Sequence, residues 1–437
     1  MTTEEMKLDG WGNVLSGMGK YGRDRKEYTE FAPETKLSES MCRNLYTYSG
    51  LAKKVITLPV YDGLRKWFTV EGDTDNAIRG ECERLFARKK FSQAWRWART
   101  FGGSMIVVMA NDGKLLDEPL DENNIQEIES LKVFQRWRVN RLSDYLDSNH
   151  PKYGETEVYN VTPEKMLATP FRVHETRCLI FDGVDVPELV RQENNGWGDP
   201  VFQAIYQRLR GLGESYSNVE HIIGEFLLMI TKIKGLATKL AANKEQEIVN
   251  RAIVNNMTRH VMGSYMIDAD GEDATRISAT TTGLDKLIDK MMMAVSAESN
   301  IPIRRLFGTP ITGAGLSNNG ESDTRDYYDF VESERYDAIE PQMETFIRLL
   351  QLQKKGPFGG REMSNWSTKW NPLYEESMET QLKNRKTQAE IDRSYWEMAA
   401  LGEEEIRESR FGGETYSFDT KLGKAPEKVE KTVEEEE

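Results

Sequence analysis

The residues with the clearest potential for catalysis are His174 and Thr176, which are separated by a single residue. Two His-x-Thr phrases together can cleave a phosphodiester, because one histidine acts as a base and the other as an acid. Serine or threonine is absent two positions after each of the other histidines, which are His150, His221 and His260. The phrase at His174 therefore has no second half, and we predict no catalytic residues.

Other signatures of chemistry are also absent from the sequence. It contains no GxxxxGK[ST] loop to hold a nucleotide phosphate, no HExxH zinc helix and no GxSxG nucleophile turn. No two histidines have a short metal-binding spacing. The three cysteines lie far apart without a CxxC, which favours neither a zinc site nor a disulfide framework. We predict no metal and no cofactor.

The composition limits the possible partners. The chain has 58 lysines and arginines against 72 aspartates and glutamates, a formal net charge of -14. A broad basic surface that holds DNA phosphates tightly is therefore not expected, and a DNA partner would be guided rather than gripped. No apolar run approaches the roughly twenty residues of a membrane span. We expect an intracellular protein with no membrane partner.

Residues 38–201 have the pattern of an α+β domain. The phrase from Ser38 to Ile56 indicates a helix, and LPVYDGLRKWFTVEG after it indicates a turn and a strand. A second helix is predicted from Asn76 to Phe101, followed by a buried strand in MIVVMANDGK. The short β-like runs between Leu115 and Pro187 predict an antiparallel sheet.

A seven-residue apolar repeat marks the helix that follows. It predicts a seam packed lengthwise on another helix, and its positions are Ile205, Leu209, Leu212, Tyr216, Val219, Ile223, Phe226 and Ile230. A matching apolar face follows at Leu284, Leu287, Ile288, Met291 and Val295. The segment between the two helices is rich in lysine, including Lys239, and ends in a predicted hairpin around Asp270 and Gly271. An isolated surface hairpin is the alternative interpretation of this segment.

The stretch from Ile301 to Leu350 joins a loop to a long helix. The loop from Gly308 to Gly320 contains four glycines and no charged residue, so it can bend but cannot form a core. Ser322 is the predicted N-cap of the helix. Pro341 has no amide hydrogen, and we expect the helix to kink there.

These phrases in this order resemble the portal proteins of tailed bacteriophages. The resemblance is carried by the loop and kinked helix of 301–350, by the two seamed helices and by the phrase NWSTKWNPLYEES near the carboxyl end. It implies an α+β portal fold with a wing, two stem helices, a small β-containing clip, a long kinked helix and a C-terminal helical region.

The resemblance also implies a division of the chain into named parts. These are a flexible N-terminal arm at 1–37, the wing at 38–201, stem helix 1 at 202–231, the clip at 232–282, stem helix 2 at 283–307, the channel loop at 308–321, the long kinked wing helix and strand at 322–374, a helical crown-like region at 375–424 and an acidic disordered tail at 425–437. For the arm, a disordered leader and a segment that docks on a neighbour are both open.

The function implied by the resemblance is a ring, dodecameric by analogy, at one vertex of a phage head. Double-stranded DNA would pass through it, driven by a separate terminase, and the subunit would not be an enzyme. The implied partners are the terminase large subunit, the major capsid and scaffolding proteins and the head-tail connector. The implied location is the virion, after assembly in the bacterial cytoplasm. Two alternatives are a portal-like protein with anti-defence phosphoesterase activity and a non-portal head-assembly adaptor.

Within this interpretation, the channel loop is the DNA-facing site. Thr312, Ser317, Asn318 and Asn319 can each form a weak, exchangeable hydrogen bond with a passing phosphate. Seven carboxylates between Ser322 and Glu340 would repel the DNA backbone and prevent it from binding tightly. An ordinary surface turn is the alternative.

Overall fold

The computed structural model describes most of the chain in two units, one ending at Asn371 and one beginning at Pro372. The described residues are 36–73, 75–163, 169–224, 227–233, 250, 272–278, 283–308, 319–374, 378–412 and 416–421. The fold class is α+β, as predicted. No helix within these ranges is long and apolar enough to cross a membrane.

The first unit begins with four helices and one short strand. Its elements up to residue 101 are α1 (Glu39–Tyr48), α2 (Gly50–Arg65), β1 (Phe68–Glu71), α3 (Ala77–Arg84) and α4 (Ala87–Phe101). The side-chain oxygens of Ser38 and Ser49 cap α1 and α2. The phrase LPVYDGLRKWFTVEG contains the predicted strand as β1, but α2 continues through its first half and ends only at Arg65. Gly63 lets α2 pack closely on Trp95, since a Cβ there would lie 2.8 Å from the indole, and this packing outweighs the low helix propensity of the phrase.

Two three-stranded antiparallel sheets follow, where the sequence predicted one. Their strands are β2 (Gly103–Asn111), β3 (Glu127–Gln135), β4 (Val139–Asp144), β5 (Thr156–Val161), β6 (Phe171–His174) and β7 (Cys178–Asp182). The strand orders are β3-β2-β7 and β4-β5-β6. The predicted buried strand in MIVVMAN is confirmed as β2.

Strand β2 contributes to two separate hydrophobic cores. Ile106 and Val108 lie in the larger one, which also includes residues of α4 and, much later in the chain, Met343 and Phe346. Met105 and Val107 lie in a smaller core with residues of the second sheet. This division follows from the strand geometry, because successive side chains point to opposite faces.

The helix pair and its connection come next. The elements are α5 (Glu188–Glu193), α6 (Val201–Gly224), β8 (Leu227–Ile233), β9 (Glu272–Ser278), α7 (Leu284–Ser299) and α8 (Ile303–Phe307). The prediction of one helix to residue 231 is wrong, because strand β8 begins at Leu227. Its β-branched residues favour an extended chain, which pairs antiparallel with β9.

Strand β9 follows Asp270 and Gly271 and pairs with the distant β8. The hairpin predicted around these two residues lies outside the described ranges and stays a prediction. One further expectation for this region needs correction. The helix predicted for 283–307 is divided into α7 and α8. Asn300 between them is left-handed, with φ 53°, and Pro302 precedes α8, so neither residue continues a helix.

The last elements of the first unit are α9 (Asn319–Ala338), α10 (Glu340–Gln351) and β10 (Ser367–Trp370). Helix α9 begins three residues before the predicted cap, Ser322. The interruption lies at Ile339, and Pro341 occupies the first turn of α10, where its missing amide hydrogen is tolerated. Strand β10 pairs antiparallel with β1, with Phe68 opposite Trp370.

The second unit contains α11 (Met378–Glu397) and α12 (Glu403–Phe411). A buried ion pair joins them, since Arg410 donates from Nε and Nη2 to the two carboxylate oxygens of Asp392, both at 2.7 Å. The guanidinium also donates to the carbonyl oxygens of Phe418 and Asp419. This pair therefore fixes the segment after α12 as well as the two helices.

Candidate functional site

Helix α2 holds the chain on both sides of residues 309–318, which lie outside the described ranges. On the side before them, Lys54 Nζ donates to the carbonyl oxygen of Leu306 at 2.8 Å. Leu306 is itself fully buried in α8. The chain is therefore anchored at Leu306, two residues before Gly308, the last residue of this described range.

The main connection on α2 is made by Asp62, whose side chain is 1% exposed. Its Oδ2 atom accepts a hydrogen bond from Tyr327 Oη at 2.9 Å and a second one from Arg305 Nη2. Arg305 belongs to α8 and Tyr327 to α9. One buried carboxylate thus joins the helix before residues 309–318 to the helix after them.

Aromatic rings complete this cluster. The guanidinium carbon of Arg305 lies 5.3 Å and 5.6 Å from the ring centroids of Tyr327 and Tyr328, distances at which a cation is attracted to an aromatic face. Arg305 Nη1 also donates to Tyr328 Oη at 3.3 Å. We call Asp62, Arg305, Tyr327 and Tyr328 the Asp62 cluster.

Burial and charge shift the pKa values of Tyr327 and Arg305 in this cluster. Burial and then the neighbouring Asp62 carboxylate raise the pKa of Tyr327, so its hydroxyl keeps the proton that it donates. Burial alone would lower the pKa of Arg305, but the Asp62 carboxylate outweighs this effect and raises it. Both donors of the cluster therefore stay protonated at neutral pH.

The first turns of α9 carry exposed negative charge. Asp323, Asp326 and Asp329 are exposed there, next to residues 309–318. Farther along α9, Glu334 forms an ion pair with the buried Arg99 of α4. The three aspartates near the start of α9 thus face solvent, whereas Glu334 connects α9 to α4.

Helices α6 and α7 pack on each other, as the seven-residue repeat predicted. Leu212, Met292 and Val295 are buried, and Arg208 Nε forms an ion pair with Glu298 Oε1 at 2.7 Å. The seams are incompletely covered, because several of their large apolar residues are exposed: Tyr216 at 42%, Leu287 at 57% and Met291 at 40%. We call these three residues the open seam.

The predicted site residues are mostly outside the described ranges. These are Thr312, Ser317 and Asn318 of the channel loop and Lys239, Asp270 and Gly271 of the clip. Asn319 is the first residue of α9. Their assigned roles stay predictions.

The structure gives His174 a local structural role. The side chain is 4% exposed, and its Nδ1 atom accepts a hydrogen bond from the amide of Thr176 at 3.3 Å. The Thr176 hydroxyl in turn accepts from the amide of Leu120. Burial lowers the pKa of His174. Within the described residues, no group of three or more histidine, cysteine or acidic side chains can hold a metal ion.

The sequence interpretation missed the Asp62 cluster. One signal was present, since Asp62 lies among apolar residues of α2 such as Ile56 and Val60, and a buried carboxylate needs a donor. The partners themselves were not identifiable, because they lie 243 and 265 residues farther along the chain.

Comparison with known proteins gives relatives of two kinds. The anti-CBASS protein Acb1 of Sphingomonas paeninsulae is 24% identical over 380 residues, which are 84% of this chain and 59% of that protein. This chain thus spans about three fifths of the length of that relative. An uncharacterized protein of Haemophilus influenzae is 23% identical over 420 residues, covering 92% of this chain and 90% of that protein.

The family and the fold are shown by two further comparisons. A chain in the neck of a native GTA particle, computed with C12 symmetry, aligns with a TM-score of 0.51 at 12% identity, covering 84% of this chain and 91% of that one. This likeness shows a shared fold. The family model described as phage portal protein matches residues 40–394. Because that match includes most of the chain, the protein belongs to the phage portal protein family.

Proposed function

We propose that this chain is the subunit of a portal ring at one vertex of a phage head, through which double-stranded DNA passes during packaging and ejection. The observation that carries the proposal is the open seam. A helix pair that buries only part of its apolar repeat within one subunit has surface that neighbouring copies can cover. A dodecamer is the proposed ring, by analogy with the C12 symmetry of the GTA neck.

The proposed mechanism is geometric and electrostatic. Head-to-tail contacts close the ring, and α6 and α7 serve as the stem around the channel. The Asp62 cluster joins the helices on either side of residues 309–318, so the chain enters and leaves this loop from a fixed base. Their uncharged side chains exchange weak hydrogen bonds with phosphates, while the exposed acids at the start of α9 repel the DNA backbone. DNA is thereby guided without being held.

The proposed partners follow from this role. The connection between α6 and α7, with Lys239, Asp270 and Gly271, is the clip that docks the terminase large subunit and later the head-tail connector. The wing contacts the major capsid and scaffolding proteins. Assembly takes place in the bacterial cytoplasm, and the mature location is the virion.

The experiment that tests this proposal removes residues Thr312 to Asn319 from the full chain. We expect closed rings with a central channel in negative-stain images and a reduced yield of packaged DNA. The variant Asn318→Lys with Asn319→Lys should slow translocation, more strongly at low salt, because each new cation can contact a phosphate.

Asn149→Lys is the control, since it adds a lysine at an exposed position of the wing, and it should package DNA normally. Normal packaging by both loop variants would remove this loop from the mechanism. A protein that stays monomeric at high concentration in several salt conditions would contradict the ring itself and favour a non-portal adaptor.

A second candidate function is suggested by the Acb1 relative. An activity of that kind in this chain would need a catalytic partner for His174, and the sequence contains one His-x-Thr phrase. The discriminating measurement is hydrolysis of cyclic oligonucleotides. We expect no turnover, and a turnover that disappears in His174→Ala would favour this second function over a purely structural one.

A further inference from the structure

A cavity of about 910 Å³ opens between α2, β1, α3 and the start of α4. Val60, Leu64 and Phe68 are among its buried apolar lining residues. Tyr61 and Phe86 also line it, yet they are 69% and 68% exposed. We call this cavity the α2–α4 groove. Apolar floors with exposed aromatic residues at the edge are typical of surfaces that bind a partner.

The backbone at Phe86 holds its aromatic ring at the edge of the groove. Its φ is 52°, in the left-handed region that side chains with a β-carbon rarely adopt. The residue separates α3 from α4, and the preceding Leu85 is buried. An unfavourable conformation that presents a large apolar side chain to solvent is more typical of a binding surface than of an ordinary helix boundary.

The rim of the groove has unbalanced positive charge. Its acids are already engaged: Asp73 accepts the amides of Ala77 and Ile78 at the start of α3, and Glu83 is paired with Arg79. The exposed cations Arg88 and Lys89 also line the groove. In the described part of the chain, neither has an acidic partner, and Arg88 donates to the carbonyl oxygen of Arg65. The expected occupant is therefore an apolar segment with a net negative charge.

A segment near the start of the chain, outside the described ranges, has that composition. Glu4–Met18 contains three carboxylates against one lysine, and its apolar residues are Met6, Leu8, Trp11, Val14, Leu15 and Met18. The acidic end of the chain, residues 422–437, has no aromatic residue. Residues 19–35 have equal numbers of basic and acidic side chains.

The chain between Met18 and α1 is long enough for Glu4–Met18 to reach the groove. Gln135 Nε2 donates to Glu39 Oε1, and Gln135 pairs with Ser104 just after α4, so α1 begins near the carboxyl end of α4. The groove lies at the amino end of α4, which at 1.5 Å per residue is about 22 Å away. Seventeen residues separate Met18 from Lys36, and extended chain of that length spans about 56 Å.

We infer that the α2–α4 groove binds the segment Glu4–Met18 of the same chain. Trp11 and its apolar neighbours contact the floor and the two exposed aromatic rings, and the carboxylates of the segment lie against Arg88 and Lys89. This inference does not depend on the proposed role in DNA passage.

The test uses the full chain with the photoreactive residue p-benzoylphenylalanine in place of Trp11. After irradiation we expect a product that migrates as one chain, with the crosslink in the peptides that contain Tyr61 or Phe86. A crosslink elsewhere in the chain, a product of two chains or the absence of a crosslink would each overturn the inference.

Two groove variants sharpen the test. Phe86→Gly removes the ring and suits the positive φ, and it should lower the crosslink yield at least fivefold. Asn195→Gly is its matched control, because Asn195 also has a positive φ, 54°, but does not line the groove. An equal yield in the two glycine variants would contradict the inference.

The charges are tested by exchange. Arg88→Glu with Lys89→Glu should also lower the yield at least fivefold, and adding Glu4→Lys with Glu5→Lys should restore at least half of it. Lys132→Glu, on the exposed side of β3, should change nothing. If the exchanged charges fail to restore crosslinking, ion pairs between the groove and the segment do not contribute to binding.

Discussion

The Asp62 cluster finds its bonding partners within the subunit, whereas the helix pair α6–α7 leaves part of its apolar surface exposed to solvent. In the cluster, a buried carboxylate finds two donors on other helices of the same subunit. In the helix pair, the two helices together bury only some of their apolar seam residues, and the residues of the open seam stay exposed. The Asp62 cluster thus stabilises the subunit from within, whereas the helix pair is suited to association.

This difference also separates two ways in which a substitution can act. A change in the Asp62 cluster leaves a buried charge without its partner, and the folded subunit loses stability. A change in the open seam alters a surface that the subunit does not use for its own folding. Stability and assembly should therefore respond to different residues.

The largest effect on stability is expected for Asp62→Ala. This substitution leaves Arg305 half-buried without its carboxylate and Tyr327 without an acceptor. Breaking a fully buried ion pair costs about 3–5 kcal/mol, and because the Arg305 side chain is 31% exposed we expect a loss of about 3 kcal/mol. The measurement is urea unfolding at a concentration where the chain is monomeric.

Asp329→Ala is the control for this substitution, since it removes an exposed aspartate from α9. The free energy of unfolding should change by less than about 0.5 kcal/mol. A similar loss in both variants would mean that Asp62 contributes no more than a surface acid, and the contrast between the two regions would fail.

A smaller effect, which depends on pH, is expected at His174 at the end of β6. Its folded pKa is lowered, mainly by burial, so its contribution is present above the unfolded pKa and is lost as the pH falls. His174→Asn keeps an acceptor for the Thr176 amide but cannot be protonated. The variant should therefore lose less stability than the parent between pH 7 and pH 5, by at most about 1.4 kcal/mol per pH unit, the limit for one group.

His150→Asn is the matched control for His174. Nδ1 of His150 also accepts the amide two residues later, that of Lys152, but this hydrogen bond lies at the surface. Both variants are compared with the parent by urea unfolding at pH 7 and at pH 5. Equal behaviour of the two variants would remove His174 from the account of acid stability.

The sequence predicted the features that depend on local pattern. The buried strand β2 followed from a continuous apolar run closed by a turn, and the pairing of α6 with α7 followed from the repeat. The end of α6 did not, because Ile230 continues the repeat, and only pairing with β9 shows that Leu227–Ile233 is extended. The Asp62 cluster was missed for a related reason, since its members come from three distant helices.

The smallest effect on subunit stability, and the largest on assembly, is expected for Leu287→Asp with Met291→Asp. Both residues are exposed in α7, so the free energy of unfolding of the monomer should change by less than about 0.5 kcal/mol. If neighbouring copies cover the open seam, each subunit interface would bury two new carboxylates, and burial of an unpaired charge is strongly unfavourable. We expect the fraction of rings, measured by light scattering, to fall at least tenfold.

Leu146→Asp with Leu189→Asp makes the same change at two exposed leucines outside the helix pair and should leave the rings intact. Normal assembly of the α7 variant would mean that the seam stays in solvent, and the contrast between the internally bonded Asp62 cluster and a helix pair completed by its neighbours would no longer hold.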